Sequence, residues 1–336
     1  MRRCIWGKRI RGAVLASLLG ISLLFSLCGC SAGVADKEAN GSIVVICKGS
    51  QHEFWQTAKM GAEDACEELG VSMTFVAPED ETQVDAQIQM VEDAIEQKAD
   101  GILLAPLDKE KLNSVIEKAH NEGIKVIVFD SDVTSPYRTS VIGTSNEAAG
   151  AIAARNAQMM IDKGSTVAMI AHVKGSQTAE ERIGGFVDEM NQTMGSDVEL
   201  LDTAYCDGDV ERSKQAALEF IKNYPKLALI YAANEGSAVG AAQAVEEMGK
   251  TGQIHIIGFD SSDAEISYLK SGVIDGMMVQ NPYNMGYIGI RNLYKVIQDK
   301  DVDEKIDTGI TYVDSDNVAD EDIEWLLYPM GKPSQE

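Results

Sequence analysis

The sequence predicts an α/β fold of two lobes, each a parallel sheet flanked by helices. Three observations carry this: apolar runs that are continuous rather than alternating, segments of helical spacing between them, and a second set of runs that echoes the first. A strand covered by helices on both faces reads as an unbroken apolar run, because neither side meets water. With 336 residues, 45% of them hydrophobic, the chain is long enough for two such cores.

In the first set, residues 43–47, 73–77, 101–105, 126–130 and 141–143 read as strands. Between them Phe54, Ala58, Gly61, Ala65 and Leu69 recur at helical spacing, as do Val84, Ile88, Val91 and Ile95, then Leu112, Val115, Ile116 and Ala119. Gly70 and Gly123 stop the first and third of these helices.

The second set, residues 166–171, 198–204, 227–232, 254–260 and 276–280, brings the expected strands to ten. Its third strand, LIYAA, answers ILLAP, and its fourth, IHIIGFDSSD, answers KVIVFDSD. Each lobe therefore ends its fourth strand on a carboxylate, Asp130 or Asp260. In an open parallel sheet the ligand crevice lies beyond the carboxyl ends of the strands, so two facing lobes would aim both carboxylates into one cleft. An Asp after a strand also serves as a cap or turn residue, and the duplication argues for more than that.

The first residues point to export. Arg2, Arg3, Lys8, Arg9 and Arg11 form a basic region, and the uncharged apolar stretch 13–27 is short for a membrane span. The following Leu27-Cys28-Gly29-Cys30 resembles the bacterial lipobox, which implies cleavage after residue 29 and a diacylglycerol on Cys30; two acyl chains make a stable anchor. Ordinary secretion with a free Cys30 is the alternative. Of six cysteines, Cys30, Cys47, Cys66 and Cys206 would stay in the mature chain, with no CxxC and no metal-like cluster. Free thiols are expected, although a Cys47–Cys66 bridge is geometrically conceivable. The formal net charge of -24 becomes more negative once the basic leader is removed, and such a body repels nucleic acid and anionic headgroups.

Asp130, Asp132 and Thr134 also match the DxDxT loop of haloacid-dehalogenase-type phosphatases, in which the first Asp is nucleophile and the second acid/base. That loop ordinarily closes the first strand of its sheet, whereas here it closes the fourth, and no well-placed lysine motif precedes the later acids at 258–263. A dinucleotide enzyme is disfavoured because no GxGxxG follows the first strand.

In order along the chain, KGSQHEFW (48–55), VIVFD (126–130), GSQTAEERIGGF (175–186), AANEGSAVGA (232–241), IIGFD (256–260) and VQNPY (279–283) resemble the ribose-binding type of periplasmic binding protein, the sugar-capturing lipoprotein or periplasmic component of ABC importers. The likeness runs from Ile43 to about Val313. It implies two Rossmann-like lobes joined by a three-segment hinge, with no catalysis, no cofactor and no metal.

By matching position, Phe54 and Trp55 would stack on a sugar ring, Asp130 and Arg182 would grip hydroxyls, and Asn234, Asp260 and Gln280 would complete the polar set. Lys48 and Ser131 would join them where the family pattern has other residues. Phe54 and Trp55 could instead face the core, Arg182 could pair with Glu180 or Glu181 at the surface, Asn234 and Gln280 could satisfy loops, and Lys48 could be solvated or face an acidic group on the ligand. An Asp-Arg pair is replaced by Asp130-Ser131, an Asn-Pro by His52-Glu53, and the second-lobe aromatic falls near residues 206–208, so ribose itself is in doubt.

The expected organisation is a signal peptide over 1–29, a linker over 30–41, an N-terminal lobe of 42–144 plus 281–305, a C-terminal lobe of 145–280 plus 306–325, and a tail over 326–336. Crossings near Thr144, Asn281 and Lys305 would form the hinge. The implied partners are a small-molecule sugar, an ABC permease with its ATPase, and the membrane through the lipid on Cys30. The chain is expected to act outside the cytoplasm as a monomer, with no nucleic acid. A ligand sensor feeding a histidine kinase or chemoreceptor would use the same clamp, and the sequence does not separate the two.

Overall fold

The computed structural model describes residues 42–329 and 331. The expected signal peptide and linker, and Cys30, lie outside the described residues, as does most of the expected tail.

The first lobe runs β1 (Ser42–Ile46), α1 (Glu53–Leu69), β2 (Ser72–Val76), α2 (Val84–Glu96), β3 (Gly101–Leu104), α3 (Asn113–Asn121), β4 (Lys125–Phe129) and β5 (Val141–Gly143). The chain then builds α4 (Asn146–Ala157), β6 (Thr166–Ala171), α5 (Gln177–Thr193), β7 (Glu199–Leu200), β8 (Ala204–Tyr205), α6 (Val210–Asn223), β9 (Leu227–Ala232), α7 (Glu235–Glu247), β10 (His255–Phe259), α8 (Asp263–Ser271) and β11 (Gly276–Val279). It returns to the first lobe as α9 (Pro282–Ile297) and β12 (Lys305–Asp307), and ends in the second as β13 (Thr311–Asp314) and α10 (Glu321–Leu327).

One sheet has the order β12-β5-β4-β3-β1-β2 and is parallel throughout. The other is β13-β11-β10-β9-β6-β7, with β8 also on β6, and only β13 is antiparallel. Both therefore share the doubly wound arrangement in which the first strand lies between the second and third, which opens a crevice beyond the strands' carboxyl ends.

The unbroken apolar runs have their explanation in two helix layers per sheet. On β1, Ile43 and Val45 join the core under α1 and α9, while Val44 and Ile46 join the one under α2 and α3. On β9, Ile230 packs toward α6 and α7, and Leu229 and Tyr231 toward α4 and α5. Alternate residues face opposite helix layers, so neither face has a place for polar side chains.

Four details differ from expectation. The strand expected at 198–204 is two short pieces that both pair with β6, because Asp202-Thr203 interrupts the apolar run at a sheet edge. Two further edge strands, β12 and β13, have too few apolar residues to register as strands in the sequence. Because Lys305–Asp307 pairs with β5, the third crossing lies at residues 308–310 rather than near Lys305. Finally α10 runs past residue 325, and Leu327 is buried in the second lobe's core, so the lobe extends into the expected tail. The hinge strands bond to each other, Thr308 N donating to Gly143 O at 3.0 Å and Thr144 Oγ1 to Gly309 O at 3.2 Å.

Cys47, Cys66 and Cys206 are free, buried thiols. Among the described residues no helix is long and apolar enough to cross a membrane.

Candidate functional site

The two lobes close on a narrow cavity of about 30 Å³ at the strand ends. Lys48, Phe54, Trp55 and Asp130 line it from the first lobe, and Arg182, Asn234, Asp260 and Gln280 from the second. Ser131 is the one expected site residue outside this wall: its hydroxyl turns to Lys48 Nζ at 2.5 Å and to Asp130 Oδ2 at 3.2 Å.

Lys48 is 3% exposed and Asp130 7%, and they form an ion pair with Nζ 2.6 Å from Oδ2. A buried ammonium and carboxylate each need the other, since either alone would face a large desolvation cost. The pair occupies the Lys48 ammonium within the protein, so it does not stand free to meet an acidic ligand. Asp130 remains a first-lobe carboxylate at the cavity.

Asp260 accepts from Gln280 Nε2 at 2.7 Å and from the Glu235 amide at 3.2 Å. Burial raises its carboxyl to about 6, with the Arg182 charge and the Gln280 bond pulling the other way and the charges of Glu235 and Asp130 adding to the rise. Gln280 Oε1 is buried and has no hydrogen-bond partner.

Arg182 is no surface arginine. It is 3% exposed; Nε donates to Asn146 Oδ1 at 2.8 Å, one Nη to Ala233 O at 2.9 Å, and its guanidinium carbon lies 3.7 Å from the centroid of the Phe259 ring. The helix that carries it is held close to α4 by glycines: a Cβ at Gly150 would lie 2.2 Å from Arg182 O, and one at Gly185 2.1 Å from Glu147 O. Asn234 caps α7, its Oδ1 accepting from the Ser237 amide at 3.2 Å and hydroxyl at 2.5 Å. That leaves its NH₂ as a donor.

Trp55 belongs to the first lobe's core, edge-on to Phe129, and its indole Nε1 donates to Glu81 Oε1 at 3.0 Å. Phe54 is half-buried and meets Trp55 edge-to-face at 4.8 Å. Of the two aromatics, both of which line the cavity, Phe54 is the more exposed.

Five lining residues escaped the sequence reading: His52, Glu81, His172, Thr178 and Glu235. His172 is equivalent to Lys48. Ala105 N donates to Ile46 O and Ala233 N to Ile170 O, both at 2.8 Å, so the residues two positions after Ile46 and Ile170 occupy matching places in the two lobes. His172 is fully buried; Nε2 lies 2.8 Å from Thr178 Oγ1, and Nδ1 has no partner. Burial, then the nearby charges of Arg182, Lys48 and His52, hold it well below the ordinary range and hence neutral.

The phosphatase arrangement does not hold. Both oxygens of Asp132 are taken by Arg138, at 2.7 and 3.0 Å, and Oδ1 also accepts from the Val133 amide at 2.8 Å. Thr134 lies at the surface, bonded to Asn113 and Lys109. Asp132 shapes the turn, and Asp130 is bound to a lysine rather than poised for attack.

The chain matches the model for the periplasmic binding protein domain over residues 43–301. It belongs to that family. It is 28% identical over 264 residues to the D-allose-binding periplasmic protein of Escherichia coli, covering 75% of this chain and 83% of that one. Its fold matches the ABC transporter solute-binding protein of Agrobacterium vitis with bound D-fucose, with TM-score 0.82, 30% identity, and 86% of this chain and 100% of that one covered. A carbohydrate transporter solute-binding protein of Agrobacterium radiobacter in complex with D-arabinose matches with the same score and identity, 86% of this chain and 99% of that one being covered. As a member of this family the chain is an extracytoplasmic solute-binding component of an ABC transporter, a binding protein rather than an enzyme.

Proposed function

We propose that this chain captures a neutral monosaccharide between its lobes and presents the closed form to an ABC permease and its ATPase. The observation that carries this is that Lys48 and His52, two cations of the cavity wall, are already held by protein carboxylates. Lys48 faces Asp130, the Arg182 charge is felt by Asp260, and His52 faces Glu235. With Lys48 already paired to Asp130 and His52 facing Glu235, a charged ligand finds neither cation free, whereas hydroxyls add charge-assisted hydrogen bonds at no such cost.

Gln280 Oε1, His172 Nδ1 and the Asn234 NH₂ supply polar atoms for several hydroxyls, while Phe54 offers a ring. Asp130, Arg182, Asn234, Asp260 and Gln280 are the direct contacts. Lys48 and Ser131 act through Asp130.

Ligand bridging the lobes favours closure only because it binds the closed form better than the open one. In this reading residues 1–29 are an export signal, a diacylglycerol on Cys30 holds the protein at the membrane, and it works as a monomer. Thermal-shift screening against pentoses, hexoses, inositols and sugar acids tests the assignment. Neutral aldoses should raise the melting temperature and sugar acids should not; if no carbohydrate does so, the reading fails.

A further inference from the structure

His52 occupies the position that starts α1, yet its side chain makes no capping bond. The first amides of that helix are met from the other lobe: Glu53 N and Phe54 N lie 3.4 and 3.5 Å from the two oxygens of Glu235. In return Glu53 Oε2 accepts from the Asp263 amide, the first of α8, at 3.1 Å. Orphan amides and the helix dipole make each helix start a natural seat for a carboxylate.

The imidazole itself fits a slot on the second lobe. A Cβ at Gly208 would lie 3.3 Å from His52 Nε2, and one at Gly236 would lie 3.3 Å from His52 Cε1. Nδ1 is 3.4 Å from Glu235 Oε1. His52 and Glu81 line both the cavity at the strand ends and the larger one beside it, so they stand between the two.

We propose that the start of α1 is the clasp of the closed form: Glu235 caps the helix across the cleft, and His52 seats its ring between Gly208 and Gly236. These positioning residues hold the lobes together and wall off the sugar, and the proposal rests on the two-lobe capture reading above.

The clasp is sensitive to protons. Glu235 on α7, Glu81 before α2 and Asp260 after β10 face His52 as carboxylates. Lys48 and neutral His172 share its cavity, and Asp207, Asp209 and Arg212 line the outer side. Against the effect of burial, the Glu235 bond and the charges of Glu81, Glu235 and Asp260 raise the imidazole from 6.5 to about 9. Opening the lobes removes Glu235 and returns it toward 6.5. The His52 contribution to closure is thus full below pH 6.5 and is lost as pH rises through 9.

The test measures D-allose, D-ribose, D-arabinose and D-fucose binding by calorimetry at pH 6.5 and 9.5, with lobe-to-lobe distance followed by fluorescence energy transfer with and without sugar. In the unaltered chain affinity should fall at least tenfold on going to the higher pH, within a ceiling of roughly a hundredfold set over this interval by the two ionisation constants. His52→Gln should bind more weakly at pH 6.5 and change less than about twofold between the two pH values. Glu235→Ala should lower the closed fraction at both. If His52→Gln tracks the unaltered chain in affinity and distance, the clasp is refuted. If no sugar of the thermal-shift panel binds at any pH the capture reading fails, and the ligand-free distances still decide the clasp: a closed fraction equal at both pH values refutes it, and one that falls at pH 9.5 supports it.

Discussion

Asp130 and Asp260 hold the same uncommon backbone at the same place in the two lobes, with φ of +62° and +87°. Each amide donates across to the neighbouring strand, to Ile142 O at 2.8 Å and to Met278 O at 2.9 Å. Left-handed backbone costs a non-glycine residue on the order of 1–3 kcal/mol, though Asp tolerates it better than most. The turn swings each carboxylate off the strand end toward the cleft, which is why the duplication falls on these two positions.

Replacing Asp260 by Asn keeps the backbone and one acceptor while removing the charge. Sugar affinity should fall at least tenfold, given about 1.5–3 kcal/mol for a hydrogen bond to a charged group. The melting temperature should hold or rise, because a buried carboxylate's desolvation cost goes with it. Calorimetry and thermal unfolding on the same variant decide it; unchanged affinity would show that the cleft is misplaced.

Lys48→Met should destabilise the chain by about 3–5 kcal/mol, since Asp130 would be left as an uncompensated buried charge. Adding Asp130→Asn should recover most of that loss without restoring sugar binding. Denaturant unfolding of the single and double variants reads both effects, and a single variant that costs under about 1 kcal/mol would mean the pair is not the buried unit seen in the structure.

Much of this was legible in the sequence. The strand periodicity gave both sheets, and the echo of VIVFD in IIGFD gave the paired carboxylates. His172 could have been found too, by extending the repeat one strand end further, since it answers Lys48. Glu235 follows Asn234 directly, but its side chain bonds to the other lobe, which its own stretch of sequence does not report. Glu81 and the Gly208–Gly236 slot depend on which loops meet across the cleft, and no local pattern reports that. Asp132 matched a motif letter for letter, yet its oxygens are claimed by Arg138, six residues on.

The raised carboxyl of Asp260 sets an acid limit on binding. Because its proton is held up to about pH 6 instead of the usual 3.8, the ionised form is disfavoured in the folded chain. Its contribution to stability therefore declines as pH rises from 3.8 to 6. Binding runs the other way, since the sugar needs the carboxylate as an acceptor: affinity should weaken as pH falls below 6. Asp260→Asn should flatten that acid limb, and an unchanged limb in the variant would assign it elsewhere.

Arg182 separates charge from geometry. Its planar fork reaches Asn146 Oδ1 and Ala233 O at once while lying flat on Phe259, which an ammonium cannot do. Arg182→Lys keeps the positive charge beside Asp260, so a purely electrostatic role would survive it. We expect it not to: affinity should drop by roughly a hundredfold, and stability by about 1–3 kcal/mol, as the Ala233 carbonyl and Asn146 amide lose their buried donor. Calorimetry and denaturant unfolding measure the two. Retained affinity in the lysine variant would reduce Arg182 to a point charge and shift the reading of hydroxyls to Asn234 and Gln280.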